Sequence, residues 1–232
     1  MRLLAIFAHP DDESFGPAGT IARHAYSGHQ VGIVTLTCGE AGSLGISSQL
    51  SADELARRRT GELHCAARTL GVTYLKIFDL PDKRLSEVAN QHGINLIHSQ
   101  IDFFKPDVLL TFHKQGISGH PDHRIVSRWV VEAVKNLQEN IKLLLYGILP
   151  EQAAQIPQRK FYPLQPSEVT HQISVKDYLN LKIEAIQCHV TQAELWKVLP
   201  QPMENFFKFA QWEYFKQVWP TPDKRKLQYE FK

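Results

Sequence analysis

Short apolar runs recur along the chain, and longer stretches with a mixed polar pattern separate them. The runs cover residues 2–8, 31–37, 74–78, 108–112 and 143–149. A short run that is apolar almost throughout is typical of a strand buried on both faces, as in a parallel sheet. The pattern therefore predicts five buried strands.

Helical periodicity fills the intervals between these runs. Ser51 and Glu54 form a capping-box pattern at the start of one predicted helix, and Gly71 is a typical end for it. The helices are predicted over residues 20–27, 51–70, 86–104, 122–136 and 176–190. Regular alternation of strand and helix is the signature of right-handed βαβ crossovers. We therefore predict a Rossmann-like α/β fold with helices flanking a largely parallel sheet of order 3-2-1-4-5.

The same pattern predicts a single domain over residues 1–232. Its core is expected over about residues 1–192, and a small C-terminal extension over about residues 193–232. The proline-dotted stretch 150–166 is predicted to be a loop that leads into this smaller part. The aromatic tail from Trp212 is interpreted as either a packed appendage or a subunit contact, so a homo-oligomer stays open.

Composition excludes several classes of protein. The chain has 232 residues, of which 43% are hydrophobic and 22% charged, as in an average soluble domain. The 26 basic and 24 acidic side chains leave a formal net charge of only +2. Because this balance provides no broad basic field, we expect no nucleic-acid partner.

The length of the apolar runs and the number and spacing of cysteines indicate where in the cell the protein is located. No run approaches the roughly 18 residues that a membrane span needs, so no integral membrane segment is expected. Cys38, Cys65 and Cys188 are far apart in sequence, include no C-x-x-C motif and, as an odd number, cannot all pair within one chain. This usage is typical of a reducing compartment, and the prediction is a cytoplasmic protein.

Two clusters of histidine and aspartate follow predicted strands. Ala8-His9-Pro10-Asp11-Asp12-Glu13 comes directly after the first strand, and Gly119-His120-Pro121-Asp122-His123-Arg124 lies just beyond the fourth. In the predicted strand order, strands one and four are neighbours. The crevice at their carboxyl ends is where doubly wound folds bind ligands. We therefore expect the two clusters to meet there.

Together the clusters contain the groups needed for metal-assisted amide hydrolysis. Catalytic zinc takes three protein ligands and keeps one open position, and His9, Asp12 and His123 supply such a set. Asp11 would then lie beside the ion as a general base. His120 would stabilise a developing oxyanion or protonate the leaving nitrogen, with Asp122 orienting it. Taken singly, each cluster is more typical of a helix cap or an ordinary turn, and the metal site is favoured only because the two clusters are expected to meet.

Both clusters also resemble the signatures of a known family, the LmbE-like or PIG-L zinc-dependent N-acetylglucosaminyl deacetylases. The resemblance spans about residues 3–192 and includes several further segments. Cys38 departs from it, because that position is often arginine in the family. The further segments are Gly19-Thr20-Ile21, Thr37-Cys38-Gly39-Glu40-Ala41-Gly42, Arg59-x-x-Glu62, Leu70-Gly71 and the Lys182–Gln192 segment with His189.

The resemblance implies the same ligand set and the same roles for Asp11, His120 and Asp122. It further implies that Arg59 binds substrate hydroxyls or phosphate, although a helix-surface salt bridge to Glu62 or Glu54 is an equal alternative. Ser14 is implied as a substrate contact. Glu13 and Glu40 are expected at the rim of the site, whereas His189 is expected in the core.

The resulting hypothesis is a metal-dependent N-deacetylase acting on a small N-acetylated sugar of the N-acetylglucosamine type. Zn²⁺ is the expected cofactor, and Fe²⁺, Co²⁺ or another divalent metal remains open. One alternative is an amidase for another small N-acyl or thiol-conjugate substrate. Another is a non-catalytic sugar- or lipid-binding relative. A nucleotide-binding protein is disfavoured because no G-x-G-x-x-G follows the first strand.

Overall fold

A central sheet crosses the computed structural model, which describes residues 1–44, 49–135, 137, 141–222 and 227–231. Within these residues the sheet has seven strands: β1 (Arg2–Phe7), β2 (Gln30–Thr37), β3 (Tyr74–Leu80), β4 (Val108–Phe112), β5 (Lys142–Gly147), β6 (His171–Ser174) and β7 (Trp212–Trp219). Their spatial order is β3-β2-β1-β4-β5-β7-β6. Strands β1 to β5 pair in parallel in the predicted order, which confirms the fold class.

Helices flank the sheet. Helices α2 and α3 both contact α8, and α4 packs against α6. Helix α3 begins with the predicted capping box, in which Ser51 Oγ accepts from the Glu54 backbone N–H at 3.3 Å. The helices are α1 (Asp12–Phe15), α2 (Ala18–Tyr26), α3 (Ala52–Thr69), α4 (Asn90–Phe104), α5 (Gly116–Gly119), α6 (Pro121–Lys135), α7 (Pro150–Ala153), α8 (Leu179–Cys188), α9 (Ala193–Lys197) and α10 (Met203–Ala210).

The predicted elements agree with the observed ones to within a few residues. The apolar runs at β1, β2, β4 and β5 form the buried core of the sheet. Helix α6 ends at Lys135, and Asn136, the predicted last residue, lies outside the described residues. The predicted loop 150–166 contains one short helix, α7.

Strand β7 lies between β5 and β6 and is antiparallel to both. The aromatic tail is therefore a strand of the sheet. Sequence analysis missed this strand because two of its inward-facing side chains are polar. Glu213, Phe215 and Gln217 are buried, whereas the alternate residues are more exposed. Buried and more exposed side chains alternate along β7 as in other strands, but the buried positions are not all hydrophobic.

Cys65 and Cys188 form a disulfide with a Cα–Cα distance of 5.8 Å, although 123 residues separate them. The packing of α3 against α8 brings them together, which distance along the sequence does not reveal. Cys38 is the free cysteine of the described residues. The cysteine count therefore no longer supports the predicted reducing compartment. Among the helices of the described ranges, none combines the length and hydropathy of a membrane span.

Candidate metal centre and active site

The two histidine–aspartate clusters lie side by side at the carboxyl ends of β1 and β4, which are paired neighbours. After β1 the chain turns sharply through Asp11, whose φ is 117°, and enters α1. After β4 it passes through α5, where Ile117 has φ 62°, and enters α6 at Pro121. Both non-glycine residues adopt a left-handed backbone, and such strain is concentrated at functional sites.

Three donor side chains converge at this point. His9 Nδ1 lies 3.2 Å from His123 Nε2, and Asp12 Oδ1 lies 3.1 Å from the same nitrogen. Asp12 Oδ2 lies 3.5 Å from His9 Nδ1. Ligands placed about 2.0–2.1 Å from a tetrahedral zinc ion are about 3.3–3.4 Å apart. His9 Nδ1 and His123 Nε2 are therefore spaced as two ligands of one tetrahedral divalent ion, and either Asp12 oxygen, each close to one of the two nitrogens, could supply the third.

Mutual charge explains the titration behaviour of these donors. Burial alone would lower the pKa of His9, but hydrogen bonds with Asp12, Asp122 and Asp82 outweigh it and raise that pKa well above its usual value. Burial would raise the pKa of Asp12, but His123 and His9 hold it well below its usual range. A bound cation would replace the proton on His9, because metal ligation requires the neutral imidazole.

The opposite side of the His9 ring faces two carboxylates. His9 Nε2 lies 3.1 Å from Asp82 Oδ1 and 3.1 Å from Asp122 Oδ2. A carboxylate on the second nitrogen is the usual way in which a metal-ligating histidine is oriented. Asp122 is itself fixed, because it accepts the backbone N–H groups of Lys83 and Leu85 at 2.7 and 3.2 Å.

These contacts correct the predicted role of Asp122. Its carboxylate contacts His9, whereas its backbone N–H donates to His120 Nδ1 at 3.2 Å. Asp122 lies in the first turn of α6, and its side chain reaches His9 at the end of β1. Asp82 was missed by sequence analysis. The only available signal was its place two residues after β3, at the same edge of the sheet as the other clusters.

Among the described residues, two other groups of side chains also bring possible metal-ligand atoms close together. The nitrogens of His9, His120 and His123 lie within 4.8 Å of one another, as do donor atoms of His9, Asp82 and Asp122. The second set is already bound by backbone N–H groups, including that of Ala41 to Asp82 at 2.9 Å. These carboxylates are therefore better placed to orient His9 than to ligate.

Asp11 is a buried carboxylate beside the donor cluster. Its Oδ2 accepts from Arg59 Nη2 at 3.1 Å, and its backbone N–H donates to Glu13 Oε2 at 3.1 Å. Burial raises the pKa of Asp11 to about 6, although Arg59 acts in the opposite direction. A carboxylate with a pKa near neutrality can both accept and return a proton at physiological pH.

Glu13 is fully buried behind Asp11 and does not lie at the rim as expected. Its Oε1 accepts from Ser14 Oγ at 2.6 Å and lies 2.6 Å from His189 Nε2. Ser14 and His189 are also buried, as expected for His189. Glu13 accepts the Asp11 backbone N–H, and Ser14 and His189 in turn hold Glu13. These contacts support the turn that positions the Asp11 carboxylate.

Arg59 is buried and reaches the site from α3. Besides Asp11, its guanidinium donates to the carbonyl of Gly39 at 2.9 Å and to that of Pro10. A Cβ at Gly39 or Gly42 would lie 2.4 or 2.3 Å from Arg59 Nη1, so both glycines make room for this side chain. The alternative salt bridges are wrong, because Glu54 caps α3 and Glu62 accepts from Thr191.

His120 lies on the opposite side of the cluster, with its ring centroid 4.8 Å from those of both His9 and His123. Burial and the charges of these two histidines lower its pKa to about 4. Since Nδ1 accepts the Asp122 N–H, the proton of the neutral ring is on Nε2. His120 is therefore a neutral hydrogen-bond donor in the cavity that it lines.

A cavity of about 390 Å³ opens above these residues. Arg59, Ser43 and Gln192 line it at one end, and apolar side chains from the chain after β5 line it at the other. Ser14 and Glu40, expected at the substrate, are not among its described lining residues. Glu40 instead accepts the Asp82 backbone N–H at 2.7 Å.

Comparison with known sequences identifies similar proteins. The family model described as "PIG-L: GlcNAc-PI de-N-acetylase" matches residues 4–134. The chain is 30% identical to "1D-myo-inositol 2-acetamido-2-deoxy-alpha-D-glucopyranoside deacetylase" of Actinosynnema mirum, over 84% of this chain and 82% of that one. It is 29% identical to "Probable N-acetyl-alpha-D-glucosaminyl L-malate deacetylase 2" of Bacillus anthracis, over 82% and 81%.

Solved structures share the fold at lower identity. N,N'-diacetylchitobiose deacetylase from Pyrococcus horikoshii has a TM-score of 0.72 at 22% identity, over 96% of this chain and 87% of that one. GalB, the 4-carboxy-2-hydroxymuconate hydratase of Pseudomonas putida, has a TM-score of 0.70 at 20% identity, over 95% and 97%. Because a deacetylase and a hydratase share this fold, the site must decide the reaction.

Proposed function

The chain belongs to the PIG-L family, and from this premise we propose that it removes the N-acetyl group of an N-acetylglucosamine-type sugar by hydrolysis. The observation that carries the proposal is the convergence of His9, Asp12 and His123 at the foot of the cavity, with donor atoms 3.1–3.5 Å apart. Asp11 and His120 flank this cluster on separate loops.

His9, Asp12 and His123 would hold a divalent cation, and zinc is the ion that we propose for this donor set. When bound, such an ion polarises the amide carbonyl and lowers the pKa of a water molecule. Asp82 and Asp122 orient His9 through its second nitrogen. Their part is to fix the ring so that Nδ1 faces the ion.

Asp11 is the proposed general base. Its pKa of about 6 leaves it ionised at neutral pH, and it takes a proton from the attacking water. Arg59 holds one carboxylate oxygen, so that the other remains directed to the reaction. Arg59 also lines the cavity and is proposed to contact a hydroxyl or phosphate of the substrate.

His120 is proposed to donate its Nε2–H to the oxygen that becomes negative during attack. A neutral donor is sufficient for this role, since oxyanion stabilisation depends on a preorganised N–H rather than on net charge. The departing amine then receives the proton that Asp11 took from water in the first step. His120 is neutral, so it keeps its Nε2 proton and acts only as a hydrogen-bond donor.

The test combines a metal assay with detection of free amine. Protein loaded with zinc should release amine from methyl N-acetylglucosaminide, and metal removal by a chelator should abolish release. His123→Ala should lose both metal and turnover, whereas His92→Ala, an exposed histidine on α4, should retain both.

Other outcomes separate the alternatives. Metal binding without amine release from any N-acetylglucosamine derivative would favour a non-catalytic sugar-binding protein. Amine release restricted to non-sugar or thiol-conjugate amides would favour the amidase. Full zinc content in His123→Ala would remove that residue from the ligand set.

A further inference from the structure

The cavity has a second end whose chemistry the deacetylation step does not use. Six apolar side chains, here called the apolar wall, line it: Ile156, Phe161, Leu195, Leu199, Phe209 and Trp212. Ile156 is buried, and the other five are half-buried. Single exposed apolar residues are ordinary on protein surfaces, but six large apolar side chains that line one cavity mark a binding surface, although Gln152 and Arg159 line the same cavity.

Sheet topology places most of the apolar wall away from the polar lining residues of the cavity. Arg59, Ser43 and Gln192 are the polar group, on the side of β2, and Ser43 Oγ donates to Gln192 Oε1 at 3.2 Å. In the apolar wall, Ile156 and Phe161 follow β5, and Phe209 and Trp212 lie just before and at the start of β7, on the other side of β1 and β4. Leu195 and Leu199 follow Gln192 along the chain and complete the wall.

The apolar wall is built entirely by residues beyond the stretch 4–134 that matches the family model. The two similar sequences and the chitobiose enzyme are named as deacetylases, but their names specify different attached groups, namely an inositol, an L-malate and a second sugar. The acetyl group is common to them, and the group attached to the sugar varies. A surface outside the stretch that the family model matches is therefore expected to contact the variable part.

We infer that the substrate carries an apolar group on the anomeric carbon of its sugar, an alkyl or aryl aglycone that packs against the apolar wall. The inference rests on the proposed deacetylation, because it places the amide at the ligand cluster. An acetyl methyl group is too small to cover six large side chains on one face of the cavity. An aglycone of six or more carbons is large enough to do so.

The primary test uses the wild-type holoenzyme and a matched series of substrates. The series contains the methyl and hexyl glycosides of N-acetylglucosamine, N,N'-diacetylchitobiose (here called chitobiose) as a polar comparator, and N-hexanoylglucosamine, all below micellar concentrations. Each buried methylene is worth about a fourfold gain in affinity. The hexyl glycoside should therefore exceed the methyl glycoside and chitobiose in kcat/KM by at least about tenfold.

Two variants locate the effect on the apolar wall. Phe209→Ala should lower the hexyl-to-methyl ratio of kcat/KM several-fold. Phe103→Ala removes an equally large ring that is 68% exposed on α4, and it should leave the ratio at the wild-type value. The ratio, unlike the absolute rate, is insensitive to a change in the fraction of folded protein.

The remaining outcomes are distinguishable. Equal kcat/KM for methyl and hexyl glycosides, or a preference for chitobiose, would overturn the apolar aglycone and leave the deacetylase standing. A preference for N-hexanoylglucosamine over the hexyl glycoside would assign the apolar wall to the acyl group and also overturn the inference. Release of amine from none of the sugars would overturn the proposed function, and the inference with it.

Discussion

At the scale of single residues, Asp11 is positioned by contacts from two directions. Arg59 binds its carboxylate from α3, and Glu13 accepts its backbone N–H from within the same turn. The strained φ of 117° is therefore supported on both sides. Because of these contacts, a substitution that removes the basicity of the Asp11 side chain should leave the turn intact.

Asp11→Asn preserves the size of the side chain and removes its basicity. We expect kcat to fall by about 10²–10⁴-fold, the usual contribution of a general base. Zinc content should remain at the wild-type value, because Asp11 is not among the proposed ligands. Steady-state kinetics alongside atomic absorption checks both, and near-normal turnover would remove Asp11 as the base.

Asp122→Asn tests the support of His9. The amide removes the charge that faces His9 Nε2, and the affinity for metal should fall by about 10–100-fold, as for other residues that orient a ligand. Asp102→Asn on α4 is the matched control, because its exposed carboxylate contacts only Lys105 among the described partners. A zinc titration of both proteins with a competing chelator gives the comparison. Equal affinities would contradict the orienting role.

The convergence of the proposed ligands was predictable from the sequence, and the contacts of the residues that support them were not. His9, Asp12 and His123 follow two apolar runs at short spacing, so the sequence itself places them together. Asp82 reaches His9 from a third strand, and that contact depends on how the loop after β3 folds back. Arg59 was expected at the substrate, but the packing of α3 also directs its guanidinium to Asp11.

At the scale of elements, the hydrophobic pattern predicted the five parallel strands because each contains a short, largely apolar run. The expectation that all five are buried is wrong for β3, which lies at the edge of the sheet and is only partly buried. The pattern failed for β7, where Glu213 is buried for a specific reason. Its carboxylate accepts the backbone N–H groups of Gly19 and Thr20 at the start of α2, at 3.0 and 2.8 Å, and pairs with Lys182 at 2.7 Å. Inward polar residues with partners of this kind have no signature in a hydropathy pattern.

The disulfide between α3 and α8 yields an element-scale prediction. Cys65→Ser should lower the free energy of unfolding by about 2–5 kcal/mol, because a loop closed over 123 residues restricts the unfolded chain. Urea denaturation without reductant measures the difference. In excess reductant the two proteins should unfold at similar urea concentrations. Cys38→Ser is the matched control and should match wild type in either condition.

At the scale of the whole molecule, buried histidines make stability depend on pH. Burial lowers the pKa of His24 to about 4 and, with the charge of Lys142, that of His171 to about 4. Both values are depressed relative to about 6.5 in the unfolded chain, so folding favours the neutral rings. The stabilisation is complete above pH 6.5 and is lost as the pH falls toward 4.

We therefore expect the free energy of unfolding to decrease between pH 6.5 and 4, by up to about 3 kcal/mol for each of these histidines. Urea titrations at half-unit pH intervals measure the slope. His24→Gln should reduce that slope, whereas His64→Gln on the exposed face of α3 should leave it unchanged. A slope that is the same in all three proteins would contradict the assignment to His24.

The position of β7 has a consequence for biogenesis. During translation, β5 emerges with an open edge that stays unpaired until Trp212–Trp219 has been made. For that interval the nascent chain exposes a hydrophobic strand edge, which is prone to intermolecular association. We expect a chaperone that shields this edge until β7 pairs with it to improve the yield of native protein.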